Sequence, residues 1–329
     1  MAIGKIKAGV IGVGHLGHFH VGQLRQIEAA ELIGIYDTDE ARLQAIAEEF
    51  SVPAFKDLAE FLEAATAVSI VVPTPDHYDV AAQAMESGCH VFIEKPITST
   101  LEEADSLLRM AAGKDLVLQV GHIERLNPAI SALSKYDLAP QFLEGHRLAK
   151  FSPRGADVPV VLDLMIHDID VVLSLVKSEL SDVRANGVSV ISGTADIATA
   201  RLEFKSGTVA NLTASRISQR QMRKLRLFQE HMYISIDFLQ QLTEVYRLVD
   251  QKQAVDDAVL TVPLELNGEQ QLIAYEKPDI SSYNALRREL SNFIGSVSGL
   301  EKPAVDGYSA RAALDVAMQI QDSIAKSLK

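Results

Sequence analysis

The 329-residue sequence predicts two folds in succession: an α/β domain built on a parallel sheet, and then an α+β domain with a large, mostly antiparallel open sheet. Residues 5–120 alternate short, almost continuously apolar strands with helices, which is typical of a parallel sheet covered on both faces. From about residue 121 the pattern changes to strands that follow one another with few helices. We therefore expect one domain over 1–121 and a second, substrate-binding domain over 122–329.

The elements of the first domain follow from the spacing of its apolar runs. Strands are predicted at 5–11, 31–36, 68–72, 90–93 and 116–120. Helices are predicted between them, near 16–28, 39–50, 76–87 and 99–113. In such sheets ligands bind at the carboxyl ends of the strands, so the residues that follow each strand are the first candidates for a functional site.

The second domain begins with a helix near Pro128 and continues mainly as strands. These strands are predicted at 143–151, 183–191, 197–205, 208–216, 224–236, 243–249 and 258–264. The stretch "FKSGT" (204–208) predicts a hairpin turn around Gly207. Two helices, 281–298 and 307–328, close the chain, and the last is a candidate to pack back on the first domain.

Composition limits the classes of partner and the location. The net charge is −13, whereas binding to nucleic-acid phosphates requires clustered cations, so no nucleic-acid partner is expected. Apolar runs such as "VSIVVP" (68–73) are far shorter than the roughly 20 residues of a membrane span, and no membrane partner is expected. The single cysteine, Cys89, fits a reducing, cytoplasmic location and is predicted to be a small buried hydrophobe rather than a nucleophile.

A glycine-rich turn lies between the first predicted strand and the first predicted helix. In "GVIGVGHLGHFH" (9–20) the glycines follow the pattern G-x-G-x-x-G, in which the backbone approaches a pyrophosphate and the helix N-terminus faces the anion. The residues expected to bind the cofactor here are Gly12, Val13, Gly14, His15, Leu16 and Gly17. The alternative is a metal site at His15, His18 and His20. It is disfavoured because His18 and His20 lie about 200° apart on a helix, and no metal is expected.

The acidic residue that supports such a turn should end the second strand, about twenty positions further on. Asp37 closes the predicted strand at 31–36, and Thr38 follows it as a further cofactor contact. A carboxylate at this position accepts hydrogen bonds from the ribose hydroxyls and repels a 2′-phosphate, which predicts NAD rather than NADP. Arg42 is the only basic residue in 37–42. The alternative for Asp37 is a simple turn residue before the next helix.

Two further strand ends carry candidate residues. The cofactor contacts expected after the third strand are Pro73, Thr74 and His77. His77 is also compatible with an N-terminal helix residue of no special role. Glu94 and Lys95 end the fourth strand and are expected near the cofactor. Because Lys95 precedes a proline, it is pushed towards extended geometry at the strand end, where its ammonium is suited to stabilise negative charge on a substrate oxygen.

The stretch "VLDLMIHDIDVVLSL" (161–175) brings a carboxylate and an imidazole together. On a helix Asp163 and His167 are four residues apart and share one face, and Asp170 lies on roughly the same face. Imidazole titrates near neutral pH, which suits the removal of a proton from a hydroxyl group. The alternative is a solvated ion pair on the helix surface.

Together these motifs resemble the glucose–fructose oxidoreductase/inositol dehydrogenase family (Gfo/Idh/MocA) over essentially the full length of the chain. The matching residues are Gly12, Gly14, Gly17, His20, Asp37, Thr74, Pro75, His77, Glu94, Lys95, Pro96, Asp163, His167 and "PAVDG" (303–307). The resemblance implies an N-terminal Rossmann domain, a C-terminal sheet domain that often mediates oligomerisation, and NAD(P)-linked oxidation of a sugar or cyclitol hydroxyl. It also implies that Lys95, Asp163 and His167 are catalytic. Met165 stands where many members have glycine, which is expected to reshape the pocket.

Within that family, three stretches are most similar to the nucleotide-sugar 3-dehydrogenases, which oxidise the 3-hydroxyl of UDP-N-acetylglucosamine to a ketone. These are "QVGHIERLNPA" (119–129), "DLMIHDID" (163–170) and "RKLRLFQEHMYISIDF" (223–238). The resemblance implies an NAD-dependent enzyme that oxidises a secondary hydroxyl of a sugar or nucleotide sugar, and a homodimer or homotetramer assembled through the C-terminal sheet. Two other functions remain open: dehydrogenation of a free sugar or inositol, and a non-catalytic NAD-binding regulator.

The residues expected to bind substrate are His122, Arg125, Arg154 and Asp170. A basic cluster also stands out in this acidic chain: Arg216, Arg220, Arg223, Lys224 and Arg226. It either lies on a solvated or subunit-facing surface of the sheet or, in part, binds the diphosphate of a UDP-sugar, because a planar guanidinium fits phosphate oxygens. Strand alternation puts Arg223 on the face opposite to the other four, provided that no bulge or turn intervenes.

Overall fold

The computed structural model describes residues 4–152, 158–250, 257–266 and 268–327. The chain divides into two compact units. Unit 1 comprises Met1–Leu126 and Tyr283–Leu314, and unit 2 comprises Asn127–Ser282 and Asp315–Lys329. The first boundary follows Leu126, where the sequence predicted residue 121, and the later segment Tyr283–Leu314 also belongs to unit 1.

The first part of unit 1 is a parallel six-stranded sheet with the strand order β3-β2-β1-β4-β5-β6. Its strands are β1 (Ile6–Ile11), β2 (Ala30–Tyr36), β3 (Ala54–Phe55), β4 (Ala67–Ile70), β5 (His90–Glu94) and β6 (Leu118–Gly121). Its helices are α1 (His15–Leu24), α2 (Glu40–Phe50), α3 (Leu58–Ala64), α4 (His77–Glu86) and α5 (Leu101–Lys114). The order reverses between β1 and β4, and open α/β sheets bind ligands at such a switch point.

Two elements of this part were not predicted, β3 and α3. The strand β3 has only two residues, too few to produce an apolar run. The helix α3 has seven residues, and the Asp57 side chain caps it by accepting a hydrogen bond from the Glu60 N–H at 2.9 Å. Such short elements depend on their neighbours in the fold more than on their own sequence pattern.

Unit 2 contains a nine-stranded sheet with the order β14-β15-β13-β12-β11-β7-β10-β9-β8. The helix α6 (Pro128–Ser131) precedes the first strand of this sheet, β7 (Phe142–Leu148). A π-helical turn (Val161–Met165) and α7 (Ile166–Leu175) follow that strand. The other strands are β8 (Leu180–Val188), β9 (Ile197–Phe204), β10 (Val209–Ser215), β11 (Met222–Gln229), β12 (Met232–Asp237), β13 (Leu242–Asp250), β14 (Ala258–Leu266) and β15 (Glu269–Glu276). Among these strands β7 and β10 pair in parallel, and the remaining pairs are antiparallel. The predicted fold class is therefore confirmed.

Three details of this sheet bear on the predictions. The turn around Gly207 joins β9 to β10 as predicted, and Gly207 has a φ of +87°. The single strand predicted at 224–236 was wrong: β11 and β12 are separate strands, because the chain turns at Glu230 and His231, and His231 has a φ of +58°. The strand β15 was not predicted.

Two helices close the chain, α8 (Ala285–Val297) and α9 (Gly307–Ser327). Helix α8 belongs to unit 1, where Leu290 and Phe293 join the core beside the parallel sheet and the Phe293 ring lies 5.8 Å from that of Phe92. The N-terminal part of α9, up to Leu314, also belongs to unit 1. In the part of the chain that the structure describes, no helix has both the length and the apolar character that a membrane span requires.

One face of the nine-stranded sheet, which we call the open face, carries a row of aromatic rings. Cross-strand pairing brings the rings together across five strands, with neighbouring centroids 4.9–5.7 Å apart. The row consists of Phe142, Phe228, Tyr233, Tyr246 and Tyr275. Its residues are partly or largely exposed, whereas the alternate residues of the same strands, such as Leu225 and Leu227, are buried.

Candidate functional site

The turn between β1 and α1 has the geometry of an anion cradle. Gly12 has a φ of +82°, and a Cβ atom there would lie 2.6 Å from the carbonyl oxygen of Val71. A Cβ atom at Gly17 would lie 2.0 Å from the carbonyl oxygen of Gly12, so α1 approaches the turn as closely as only glycine allows. Gly14 caps the helix without a side-chain hydrogen bond, and the space where its Cβ would stand is open. This backbone fits the pyrophosphate of a dinucleotide.

Asp37 lies directly after β2 and accepts four hydrogen bonds. Two come from the backbone N–H groups of Val13 and Asp39, each at 2.8 Å, and two from the Arg42 guanidinium, at 2.9 and 2.7 Å. Burial acts to raise the pKa of Asp37, but the hydrogen bonds from Arg42 and from the two N–H groups hold it below its usual range. The carboxylate is thus ionised and ready to accept from a ribose. Its pairing with Arg42 was not predicted.

His77 is buried at the start of α4, and both of its ring nitrogens face backbone carbonyls. Nδ1 lies 2.8 Å from the oxygen of Pro96, and Nε2 lies 3.0 Å from the oxygen of Val72. Burial lowers the pKa of His77, although the hydrogen bonds to these carbonyls act in the opposite direction. The ring therefore connects the segment after β4, which includes Pro73 and Thr74, to the segment after β5.

Glu94 ends β5 and is held by a histidine from α1. The His20 Nε2 lies 3.1 Å from Glu94 Oε1, and the His20 Nδ1 lies 2.8 Å from the hydroxyl of Ser69. The Lys95 N–H donates to the other Glu94 oxygen at 3.3 Å. His18, two residues earlier on α1, instead contacts Glu49 at the surface, at 2.7 Å. The two histidines thus face different partners, and the described residues contain no group of three or more metal-ligating side chains.

Asp163 and His167 lie on consecutive parts of one helical segment in unit 2. Asp163 lies in the π-helical turn, and His167 lies in the first turn of α7, where the sequence predicted a single helix. Both side chains are partly exposed, whereas Met165 between them is fully buried. π-Helical turns are rare and occur often at functional sites. Because its side chain is fully buried, Met165 is a core residue of this segment.

The residue after His167 forms a buried ion pair that the sequence did not predict. Asp168 accepts two hydrogen bonds from the Arg147 guanidinium, from Nε at 3.0 Å and from Nη2 at 2.8 Å. The guanidinium also lies 5.9 Å from the ring centre of Phe238. Arg147 stands on the face of β7 that Leu143 and Gly145 turn to the core, and a charge in that alternation was the available signal.

The predicted substrate residues are in different environments. His122 is buried, Arg125 is partly exposed in the turn Ile123–Leu126, and Asp170 is fully buried on α7. Arg154 lies outside the described residues. Cys89 is buried as predicted, and burial raises the pKa of its thiol to about 11.

Within β11 Lys224 and Arg226 share one face and Arg223 lies on the other, as predicted, but the alternation does not extend to Arg216 and Arg220, because residues 216–221 are not part of a strand. Arg216 is buried and donates to the carbonyl oxygen of Val158. On the open face Lys224 lies 3.3 Å from Asp237, and Arg226 lies 2.9 Å from Glu144. Arg220 and Arg223 are exposed.

Two family profiles match this chain. The profile described as "Oxidoreductase family, NAD-binding Rossmann fold" matches residues 6–122, and that described as "GFO/IDH/MocA C-terminal domain" matches residues 140–235. The chain is 39% identical over 320 residues, 97% of both chains, to the UDP-N-acetylglucosamine 3-dehydrogenase of Acidithiobacillus ferrooxidans. It is 26% identical over 328 residues to the myo-inositol 2-dehydrogenase of Thermotoga maritima, covering 94% of this chain and 93% of that one.

Solved structures give the same relationship. The structure of the UDP-N-acetylglucosamine 3-dehydrogenase from Acidithiobacillus ferrooxidans superposes with a TM-score of 0.88 at 37% identity, covering 99% of this chain and 100% of that chain. A probable dehydrogenase from Thermotoga maritima shares the fold at 24% identity, with a TM-score of 0.79, covering 98% of this chain and 97% of that chain.

Proposed function

We propose, since this chain belongs to the GFO/IDH/MocA family of oxidoreductases, that it oxidises the 3-hydroxyl of a UDP-N-acetylhexosamine to a ketone with NAD as the oxidant. The observation that carries this proposal is the 39% identity to a UDP-N-acetylglucosamine 3-dehydrogenase along 97% of both chains. The inositol dehydrogenases among the relatives are less similar, at 26% identity for that of Thermotoga maritima.

The residues that would hold the cofactor are those of the β1–α1 turn and Asp37. The open N-terminus of α1 suits the pyrophosphate, and the Asp37 carboxylate suits the ribose hydroxyls. A 2′-phosphate would meet the charge of Asp37, which favours NAD over NADP. Bound NAD supplies the acceptor for the hydride that leaves the substrate carbon. His77 connects the segments that follow β4 and β5, and Glu94 at the end of β5 contacts His20 on α1. These contacts stabilise the strand ends beside the proposed cofactor site.

Three side chains have the chemistry that the oxidation requires. His167 takes the proton from the hydroxyl as the carbon–oxygen double bond forms, and Asp163 orients His167. Lys95 donates a hydrogen bond to the same oxygen and stabilises its negative charge. The candidate contacts for the substrate diphosphate are Arg125, Arg154, Arg220 and Arg223. Arg216 is not among them because its guanidinium donates to the carbonyl oxygen of Val158. His122 and Asp170 stay candidate substrate residues.

The proposed location and assembly follow from the same features. The single cysteine and an NAD-dependent reaction fit the cytoplasm. The open face, with its row of aromatic rings, is a suitable surface for a second copy of the chain. We include a homodimer or homotetramer formed through this face in the proposal.

The substrate is tested by following NAD reduction with UDP-N-acetylglucosamine, other UDP-sugars, free sugars and inositols. We expect turnover with UDP-N-acetylhexosamines well above that with the free sugars and inositols. Preferred turnover of a free sugar or of inositol would contradict the substrate. Binding of NAD without turnover of any of them would favour the regulator.

The catalytic residues are tested by Lys95→Ala and His167→Ala, which we expect to lower kcat by roughly 10²-fold or more with NAD binding retained. Matched controls are Lys56→Ala and His231→Asn, whose parent side chains are 72% and 64% exposed and are not among the candidate site residues. Wild-type turnover in both catalytic variants would refute these assignments.

A further inference from the structure

Three polar side chains of unit 1 form a continuous chain of hydrogen bonds that ends at the residue before Lys95. It begins at the Ser69 hydroxyl on β4, passes through the His20 ring on α1 and ends at the Glu94 carboxylate on β5. His20 and Ser69 are almost fully buried, and 16% of the Glu94 side chain is exposed. The chain thus joins one helix to the ends of two neighbouring strands.

The Glu94 carboxylate determines the direction of its hydrogen bond with the His20 ring. Burial acts to raise the pKa of Glu94, but its hydrogen bond and charge interaction with His20, together with the charge of Lys95, hold it below its usual range. An ionised carboxylate only accepts, so the His20 Nε2–H donates to Glu94. On the other side of the ring, Nδ1 lies 2.8 Å from the Ser69 hydroxyl, which can donate or accept.

The surrounding backbone leaves room for this arrangement. Gly121 lies on β6 beside β5, and a Cβ atom there would come within 2.9 Å of Glu94 Oε1 and 3.1 Å of Oε2. The Lys95 N–H donates to the same carboxylate, so the side chain of Glu94 and the backbone of Lys95 are coupled directly. Displacing the carboxylate would therefore displace the residue that follows it.

We propose that His20 is a positioning residue for Lys95, acting through Glu94, with Ser69 holding the His20 ring. The proposal rests on the proposed role of Lys95 in catalysis. Its physical content is that α1, which also carries the anion cradle at its N-terminus, fixes the carboxyl end of β5. An active-site group misplaced by about 1 Å can lower the rate by on the order of 10²-fold, so a contact that positions Lys95 affects turnover strongly.

The first test is kinetic and uses a double-mutant cycle. We expect His20→Ala to lower kcat by on the order of 10-fold, while the dissociation constant of NAD stays within about twofold, since no atom of the cradle is removed. His20→Gln, whose amide N–H can still donate to Glu94, should recover most of the loss. In a Lys95→Ala background His20→Ala should cause little further loss, because the two residues act as a unit.

The second test does not depend on turnover. Lysines are labelled by reductive ¹³C-methylation, and the NMR signal of Lys95 is assigned by its absence in Lys95→Arg. We expect His20→Ala and Glu94→Gln to shift this signal and Ser69→Ala to shift it less. His18→Ala is the matched control, because His18 stands on the same helix and also contacts a glutamate, but at the surface.

Each outcome has a definite meaning. An unmoved Lys95 signal in His20→Ala, or an equal loss of kcat with and without Lys95, would overturn the positioning role. Thermal unfolding of each variant identifies a general loss of structure. If the Lys95 signal moves but no sugar is oxidised, the proposed function fails and the positioning contact stands.

Discussion

Asp37 illustrates how much a single side chain can decide in this protein. Its carboxylate is held by two backbone N–H groups and by the guanidinium of Arg42, five residues further along the chain. Arg42 is thus held against the carboxylate that we propose to bind the ribose, and Asp37 neutralises its charge. The proposed preference for NAD would then depend on the pair rather than on the carboxylate alone.

We therefore expect Asp37→Ser by itself to change cofactor preference. The substitution removes the negative charge and releases Arg42 for a phosphate. The ratio of kcat/KM for NAD to that for NADP should fall by on the order of 10- to 100-fold, since hydrogen bonds to charged groups contribute about 1.5–3 kcal/mol. The ratio is measured by steady-state kinetics with both cofactors.

The double variant Asp37→Ser/Arg42→Ala is the control, and it should lose the gained activity with NADP. A wild-type enzyme that already prefers NADP, or a single variant with an unchanged ratio, would contradict this account of Asp37.

Single residues were the most predictable level where backbone geometry dictates the residue type. The steric demands at Gly12 and Gly17 leave a spacing that can be read directly, and Asp37 follows it at a fixed distance along the chain. The partners of His20 and Arg42 could not be predicted in this way. The contact of His20 with Glu94 joins residues that are distant in sequence. Arg42 has two acidic neighbours, Asp37 and Asp39, and the sequence pattern does not indicate which of them it binds.

At the scale of elements, the helix that bears His167 is anchored to the sheet by a buried ion pair. Arg147 on β7 holds Asp168 on α7 through two hydrogen bonds, and both side chains are almost fully buried. Asp168 adjoins His167, so this contact fixes the rotation of α7 about its own axis.

We expect Arg147→Ala to lower the free energy of unfolding by about 3–5 kcal/mol, because it leaves a buried carboxylate without its main partner. Urea denaturation measures the loss. Arg147→Met/Asp168→Leu should restore most of the stability, since an apolar pair of similar volume can replace a buried ion pair. A loss no larger than that for Arg184→Ala, whose parent pairs with Asp182 at the surface, would show that the pair does not anchor the helix.

Elements were predicted well where their periodicity was long and strong. The strands β1, β2, β9 and β10 and helix α5 were located to within a few residues. The turn that divides β11 from β12 was missed, because His231 adopts a left-handed conformation without glycine and the apolar alternation continues on either side. The short β3 and α3 gave too little pattern to identify.

At the scale of the whole molecule, the proposed assembly would bring together copies that each carry a net charge of −13. On the open face acidic side chains have local partners: Glu144 pairs with Arg226 and Asp237 with Lys224. The repulsion between copies is therefore reduced where the aromatic row stands, which supports this face as the site of contact.

We expect Tyr246→Asp, in the middle of the aromatic row, to shift the protein towards monomers in sedimentation-velocity experiments. The added charge would be buried against a second copy without a partner. Leu300→Asp is the control, because Leu300 is 70% exposed in unit 1 and lies far along the chain from the sheet. Assembly that survives Tyr246→Asp but is lost with Leu300→Asp would move the interface elsewhere.

The parallel pairing of β7 with β10 has a consequence for how this chain folds. Two parallel neighbours cannot be joined by a tight turn, so the chain from β7 to β10 must travel back across the sheet. That excursion contains the π-helical turn, α7 and two further strands. Because contacts between residues far apart in sequence form slowly, we expect the β7–β10 pair to form late, together with the segment that carries His167. We expect a cut within this crossover to disturb the β7–β10 pair and the surroundings of His167 together.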